Sequence, residues 1–399
     1  MPLDRGFLAV TAPGPRSRLP AGTPPSGPSG AALGENTPPS VPGPSGTGVP
    51  GPRHAGEPTV LVLRGLGLGD LLTAVPALRG LRRAWPRHRI VLAAPAVLAG
   101  LARLTGAVDE VLNVHGPGPV PFLGAEVAVN LHGAGPQSTT ALLRTAPGRL
   151  LTHSHPTLPE VSGPAWRDDR HEVERWCALL EWYGIAADPA DLALPVPSVE
   201  TTGEAEPAGL TGGVEVAGPA GTAVNAGWAG EAERPGHVIV HPGAAFPARR
   251  WPPDRFAQVA AALAGDGHRV LITGDAAERD LAHTVAALAG LPREAVLAGR
   301  TGLERLAALV GTARLVVCGD TGVAHLATAL STPSVVLFGP TPPARWGPPP
   351  GRGHHVVLWR GGTGNPFATR PDPGLLTISP ADVLAAIATL PAAEERSPS

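Results

Sequence analysis

Residues 62–83 read VLRGLGLGDLLTAVPALRGLRR. A short apolar run enters a glycine-rich turn and an apolar-periodic stretch leaves it. That is the strand–turn–helix entry of a doubly wound α/β sheet. The turn approaches the dinucleotide-binding pattern Gly-x-Gly-x-x-Gly, but Asp70 stands in the third glycine place. The same pattern asks for an acid about 20 residues further on. None occurs between Asp70 and Asp109. Both marks of a nicotinamide dehydrogenase are therefore missing. Asp70 keeps two readings. It is a helix-capping residue, worth about 1 kcal/mol, or a general base aimed into a cleft. In the second reading Gly65, Gly67 and Gly69 leave room for a substrate, and the helix N-terminus keeps the carboxylate ionised. Spacing alone favours the cap.

The 399 residues suffice for two α/β domains. A net charge of −2 gives no global pull toward nucleic acid. The chain has no Lys, so all 31 basic residues are Arg, beside 52 Gly and 49 Pro. This reads as a compositional bias, under which Arg replaces Lys by drift. Two cysteines, Cys177 and Cys318, make neither a disulfide framework nor a CxxC pair. There is no basic start followed by an apolar core, and no apolar run of membrane-spanning length. The expected location is cytoplasmic.

Residues 1–57 are rich in Pro, Gly, Ser and Thr and are expected to be a disordered tail. Residues 196–235 are Gly/Ala-rich and read as a flexible linker between domains. Residues 391–399 form a short second tail. Between these lie two blocks, 58–195 and 236–390, in which apolar strands alternate with helices. In the first block a single helix is expected from Asp70 to Trp85, and Asp168-Asp169 reads as the start of the helix through HEVERWCALLEWYG. The pattern predicts an α/β protein with two Rossmann-like domains and parallel sheets covered on both faces. In the second block HPG, TGD, CGDTG and FGPT each follow the end of an apolar strand. Ligands of doubly wound sheets bind beyond such ends, so the four turns predict a crevice. No Asp-x-Asp stands at a strand end, and HEVER is not HExxH, so no metal site is expected.

The stretches GLGLGDLLTAVPALRGLRR, HPGAAFPARRWPPDRFAQVA, ITGDAAERD, CGDTGVAHLA and LFGPTPPARWGP together resemble glycosyltransferase family 9, over about residues 58–390. ADP-heptose:lipopolysaccharide heptosyltransferases typify that family. The resemblance implies the GT-B fold, with two Rossmann-like domains facing a cleft. The N-terminal domain would take the acceptor and the C-terminal domain the nucleotide sugar. It implies an inverting, metal-independent transfer with no cofactor, a heptose donor being the family's best-known case. A glycan or lipid-linked hydroxyl would be the acceptor, with no nucleic-acid partner, and the chain is expected to be a monomer.

The resemblance also assigns roles. Asp70 matches the catalytic base. Arg250 takes the place of a diphosphate-binding Lys, with the plain alternative of a solvated Arg beside Arg249. Asp320, Thr321, Gly322 and His325 match the phosphate-binding DTGxxH pattern. A helix start with free N–H groups is a ready anion site. His241, Pro242 and Gly243 would face the diphosphate. Glu278 would hold the ribose, with Asp275 as its rival, and Gly339 to Thr341 would border the nucleotide. From Arg64 to Arg103 there are seven Arg against one acid, Asp70. That stretch is ordinary solvated surface, or it attracts an anionic acceptor or the inner face of a membrane. Two alternatives to transfer remain. One is a nucleotide-sugar-binding protein of the same fold without activity. The other is a GT-B-shaped nucleotide-sugar epimerase, which needs a second active-site acid.

Overall fold

The computed structural model describes residues 57–197 and 236–391. The expected tails and nearly all of the expected linker lie outside the described residues.

The first strand, β1 (Thr59–Leu63), is TVLVL, and every residue of it is buried. It pairs in parallel with β2 (Arg89–Ala94) on one side and β4 (Val127–Asn130) on the other. β3 (Glu110–Asn113) and β5 (Arg149–Leu151) flank these, giving the order β3-β2-β1-β4-β5. A strand buried on both faces has no polar side to present, which is why the central strands are continuously apolar. The second sheet has the order β10-β9-β8-β6-β7. Its strands are β6 (Val238–His241), β7 (Val270–Ile272), β8 (Leu315–Gly319), β9 (Ser334–Leu337) and β10 (His355–Leu358), all paired in parallel. The strand order turns around between β1 and β4 in one sheet and between β6 and β8 in the other. Those switch points open a crevice at the carboxyl ends.

The helix expected from Asp70 to Trp85 is two helices, α1 (Leu68–Thr73) and α2 (Val75–Ala84). Pro76 is the reason. It lacks a backbone N–H and fits only the first turn, so a new helix starts there. α2 buries Val75, Ala77, Leu78 and Leu81 and turns Arg79, Arg82 and Arg83 outward. α3 (Ala99–Leu104) and α4 (Gln137–Leu143) follow. α5 (Glu172–Trp182) is capped by His171, whose Nδ1 accepts the Val173 N–H. The expected start at Asp168-Asp169 is therefore a turn. The second half adds α6 (Pro253–Gly265), α7 (Arg279–Leu288), α8 (Leu303–Thr312) and α9 (Gly322–Ala329). α10 (Pro343–Trp346), α11 (Pro373–Leu376) and α12 (Pro380–Ala388) complete it. Both cysteines are buried and unpaired.

Candidate functional site

Asp70 sits in the first turn of α1, directly past the end of β1. Its Oδ2 accepts the Gly67 N–H at 3.2 Å, so the capping role is real. The carboxylate is nonetheless 27% exposed. Its other oxygen faces Arg64, the residue that ends the β1 run. Arg64 is 1% exposed, and its donors are spent locally. Nε donates to the Asp70 carbonyl at 2.7 Å and Nη1 to the Leu131 carbonyl. Nη2 reaches Thr73 Oγ1 and Glu172 Oε1, both at 3.1 Å, and Asp70 Oδ1 at 3.4 Å. The Trp176 ring lies 4.7 Å from the guanidinium carbon. Glu172 Oε1 also accepts the Trp176 indole N–H at 3.0 Å, and Arg175 approaches Oε2 at 3.3 Å. Beside this cluster, burial and the Arg64 charge lower the pKa of His132.

Two of the three glycines of the first turn, Gly65 and Gly69, hold space for the protein's own backbone and side chains, not for the substrate the sequence suggested. A Cβ on Gly65 would strike the Gly116 carbonyl, and one on Gly69 would stand 2.7 Å from His325 Cδ2. Gly67 faces its own Asp70 at 3.7 Å. From the other side, a Cβ on Gly322 would meet Leu68 Cβ at 2.9 Å. Reciprocal glycines thus let α1 and α9 pack backbone to backbone across the two halves. The seam sets Asp70 beside the start of α9.

Thr321 caps α9, its Oγ1 accepting the Val323 N–H at 3.1 Å. His325 lies on the Gly69 side of the helix with Trp346 at 5.7 Å between ring centroids, and burial lowers its pKa to about 4. Asp320 is 5% exposed, and burial pushes its pKa up to about 6 against the pull of Arg249. Arg249 Nη1 lies 3.8 Å from Asp320, and its Nε is buried without a hydrogen-bond partner. Arg249 is therefore not merely a surface neighbour of Arg250; it points to the start of α9. Arg250 turns the other way, donating Nε to the Ala244 carbonyl at 2.8 Å. Its charge acts on Glu278, whose carboxyl is raised in pKa chiefly by burial.

Glu278 and Asp275 are partners as well as rivals. Each carboxylate accepts the other's backbone N–H, at 3.0 and 2.9 Å, and Glu278 occupies the cap position of α7. The Glu278 carboxylate fills the space over Gly243. His241 is buried, bonded to Thr273 Oγ1 at 3.0 Å, and held near a pKa of 4 by burial. Gly339 backs onto Asp372 and the Ala248 carbonyl. Pro242 and Thr341 lie in the turns after β6 and β9. The predicted donor-side residues thus gather along the carboxyl ends of β6, β7, β8 and β9.

The run of arginines is not a bare positive patch. Arg79 and Arg83 share Asp191, Arg82 pairs with Asp109, and Arg89 pairs with Glu110. Arg64 is the buried hub described above. Apart from Arg64, four of the seven arginines are paired with acids, and all three of those acids lie outside the 64–103 stretch, in line with the reading as ordinary surface. Among the described residues no helix is long and apolar enough to cross a membrane.

Two parallel doubly wound sheets with their switch points turned to one crevice define a GT-B glycosyltransferase. The chain belongs to glycosyltransferase family 9 (heptosyltransferase), whose model matches residues 162–363. Solved structures share the architecture. A family 9 glycosyl transferase from Veillonella parvula DSM 2008 is 20% identical, with a TM-score of 0.63 over 83% of this chain and 96% of that one. The E. coli ADP-heptose lps heptosyltransferase II is 21% identical, with a TM-score of 0.59 over 83% and 97%. E. coli heptosyltransferase WaaC with ADP is 17% identical, with a TM-score of 0.57 over 83% and 99%. Comparison with curated protein sequences gives no significant match.

Sequence reading missed Arg64, Glu172 and Arg249 as site residues. A charge directly after an all-apolar central strand was a usable signal for Arg64. Glu172 lies 108 residues from Arg64, and no local pattern joins them.

Proposed function

We propose that this chain transfers a sugar from a nucleoside-diphosphate donor to a glycan or lipid-linked hydroxyl by one inverting displacement, without a catalytic metal. The observation that carries it is the α1–α9 seam, which packs the helix that bears Asp70 against the start of α9, where Arg249 faces Asp320. Asp70 takes the proton of the acceptor hydroxyl as that oxygen attacks the anomeric carbon. The bond to the diphosphate breaks on the opposite face, and its electron pair leaves with the phosphate. One displacement needs one base, unlike the paired carboxylates of glycosidases. The leaving charge falls on the α9 N-terminus and on the guanidinium of Arg249, whose side chain is part-exposed beside Asp320. These supply the positive charge that a metal would otherwise bring. Glu278 takes the ribose hydroxyls, with Arg250 holding its charge in place. The epimerase alternative needs a second free acid near Asp70, and Glu172 has both oxygens engaged.

The test is thermal unfolding against ADP, UDP, GDP, dTDP, CDP and NADH, followed by turnover of the matching sugar nucleotides. ADP-heptose comes first, since ADP-heptose is the donor named for one of the solved relatives. A ligand at a hundred times its dissociation constant adds about 2.7 kcal/mol to the folded state. One diphosphate should shift the transition, equally in Asp70→Ala, whose turnover is lost. The product should show inverted anomeric configuration by NMR, with a rate insensitive to EDTA. A shift with NADH alone would overturn the reading.

A further inference from the structure

We propose that Arg64 and Glu172 are positioning residues that hold the Asp70 carboxylate for proton abstraction; the inference rests on Asp70 being the base. A guanidinium that is 1% exposed must be neutralised and fully hydrogen-bonded. Arg64 meets that demand mostly on the turn that carries Asp70: its backbone carbonyl, its carboxylate and the Thr73 hydroxyl. The Thr73 hydroxyl in turn donates to the same Asp70 carbonyl at 3.1 Å. The first turn of α1 is therefore pinned at three points to one buried side chain.

The two carboxylates divide the work. Glu172 is the closer one, at 3.1 Å against 3.4 Å for Asp70. Glu172 is buried and also held by Trp176 and Arg175. It supplies the counter-charge, so Asp70 is oriented by Arg64 without being consumed as its ion-pair partner. Two arginines and two acids close the cluster at zero net charge. Glu172 is itself fixed from the other half of the chain. Its neighbour His171 accepts the Val173 N–H on Nδ1, which leaves Nε2 to donate to the Gly347 carbonyl at 2.9 Å. The base is thus aimed by the residue that follows β1, by α5 and by the segment after α10.

The test is a kinetic cycle on the full chain, using whichever sugar nucleotide the panel above selects. Turnover of Arg64→Met, Asp70→Asn and the double variant is compared, with diphosphate binding read by thermal shift. Arg64→Met should lower kcat about 100-fold, the scale of a misplaced catalytic group, with diphosphate affinity within about threefold. In the Asp70→Asn background the same substitution should change the residual rate less than about threefold, because residues acting as a unit are not additive. Arg64→Lys should recover at least tenfold over Arg64→Met. Glu172→Gln, which keeps shape, should lower kcat about tenfold and likewise lose its effect once Asp70 is gone. Equal losses in both backgrounds would make Arg64 a structural residue and overturn the inference. If Arg64→Met does not fold, Arg64→Lys and Glu172→Gln decide, and wild-type turnover in both overturns it. Full turnover by Asp70→Asn, or no turnover of any sugar nucleotide by the native chain, removes the base reading itself and this inference with it.

Discussion

Gly69 and His325 come from opposite halves of the chain and occupy one space. The position of a Cβ on Gly69 lies 2.7 Å from the imidazole Cδ2, inside any van der Waals contact. Replacing Gly69 by Ala must push the two helices apart or turn the histidine. Overpacking of this kind costs about 1–3 kcal/mol. Gly69→Ala is expected to lower stability in urea unfolding and to reduce turnover more than it reduces diphosphate binding. Shortening the opposing side chain in Gly69→Ala/His325→Ala should return part of the lost stability. Equal stability of Gly69→Ala and native protein would show that the seam is loose.

The two adjacent arginines should separate by ligand. Arg249 aims at the α9 start, and a hydrogen bond to a charged group is worth about 1.5–3 kcal/mol. Arg249→Gln should therefore weaken both inorganic pyrophosphate and the preferred nucleoside diphosphate by about tenfold or more. Glu278→Gln should weaken the nucleoside diphosphate and leave pyrophosphate unchanged, since only the former carries ribose. Calorimetric titration with the two ligands reads the difference. Loss of pyrophosphate binding in Glu278→Gln would place Glu278 on the phosphates instead.

Buried histidines set the acid limit of stability. Burial holds His153, His241 and His325 at a pKa of about 4, and His355 at about 3. Each folded value lies below the unfolded 6.5, so the unfolded chain binds protons first. Stability is full above about pH 6.5 and falls as the pH drops toward 4, by at most about 3 kcal/mol per histidine. Asp320 works in the opposite sense. Its folded pKa of about 6 is raised, so its contribution is present at low pH and is lost as the pH rises through 6. Among these five groups the four histidines outweigh Asp320, and the lowered carboxyl of Asp382 acts in the same sense as the histidines. His153 packs between Trp166 and Trp176, away from the turns after β6 and β8, so it is the one to test. His153→Gln should give a shallower fall of Tm between pH 6.5 and 4. An unchanged slope would mean that His153 takes up its proton as readily in the folded state as in the unfolded one.

The paired arginines of α2 predict a negative result. Arg82→Glu/Arg83→Glu breaks exposed ion pairs with Asp109 and Asp191, worth about 0–1 kcal/mol each, and places like charges together. A modest fall in Tm is expected, with no change in sedimentation with anionic vesicles. Loss of vesicle binding in the double variant would restore the membrane-surface reading.

Much of the site was legible because it lies at strand ends. Apolar runs marked β1, β6, β8 and β9, and the turn residues after them marked the crevice. His241, Gly243, Asp320 and Thr321 lie at those strand ends, whereas Glu278, assigned only from the family resemblance, caps the helix that follows β7. The glycines were legible as close approaches but not as to what approaches. Nothing near Gly69 in sequence points to His325, 256 positions away. Arg64 reads only as one of a run of surface arginines, and Arg249 only as the neighbour of Arg250, because in a composition without Lys every cation is an Arg and none stands out.

The sequence by itself determined the local grammar. It set two blocks of alternating strands and helices, a carboxylate at a helix start after the first strand and an anion-ready start to α9; the Pro76 that divides the first helix was there to read, but the apolar periodicity ran across it. Those follow from backbone sterics, hydrogen bonding and apolar periodicity over a few neighbouring residues. Only the tertiary structure decided which charges meet. Arg64 finds Glu172 across 108 positions, Arg79 and Arg83 find Asp191, and Arg249 turns to Asp320 while Arg250 turns away. Whether an arginine is a solvated cation, a buried hub or a phosphate ligand depends on the dielectric and the partners around it. Both are created when distant segments pack.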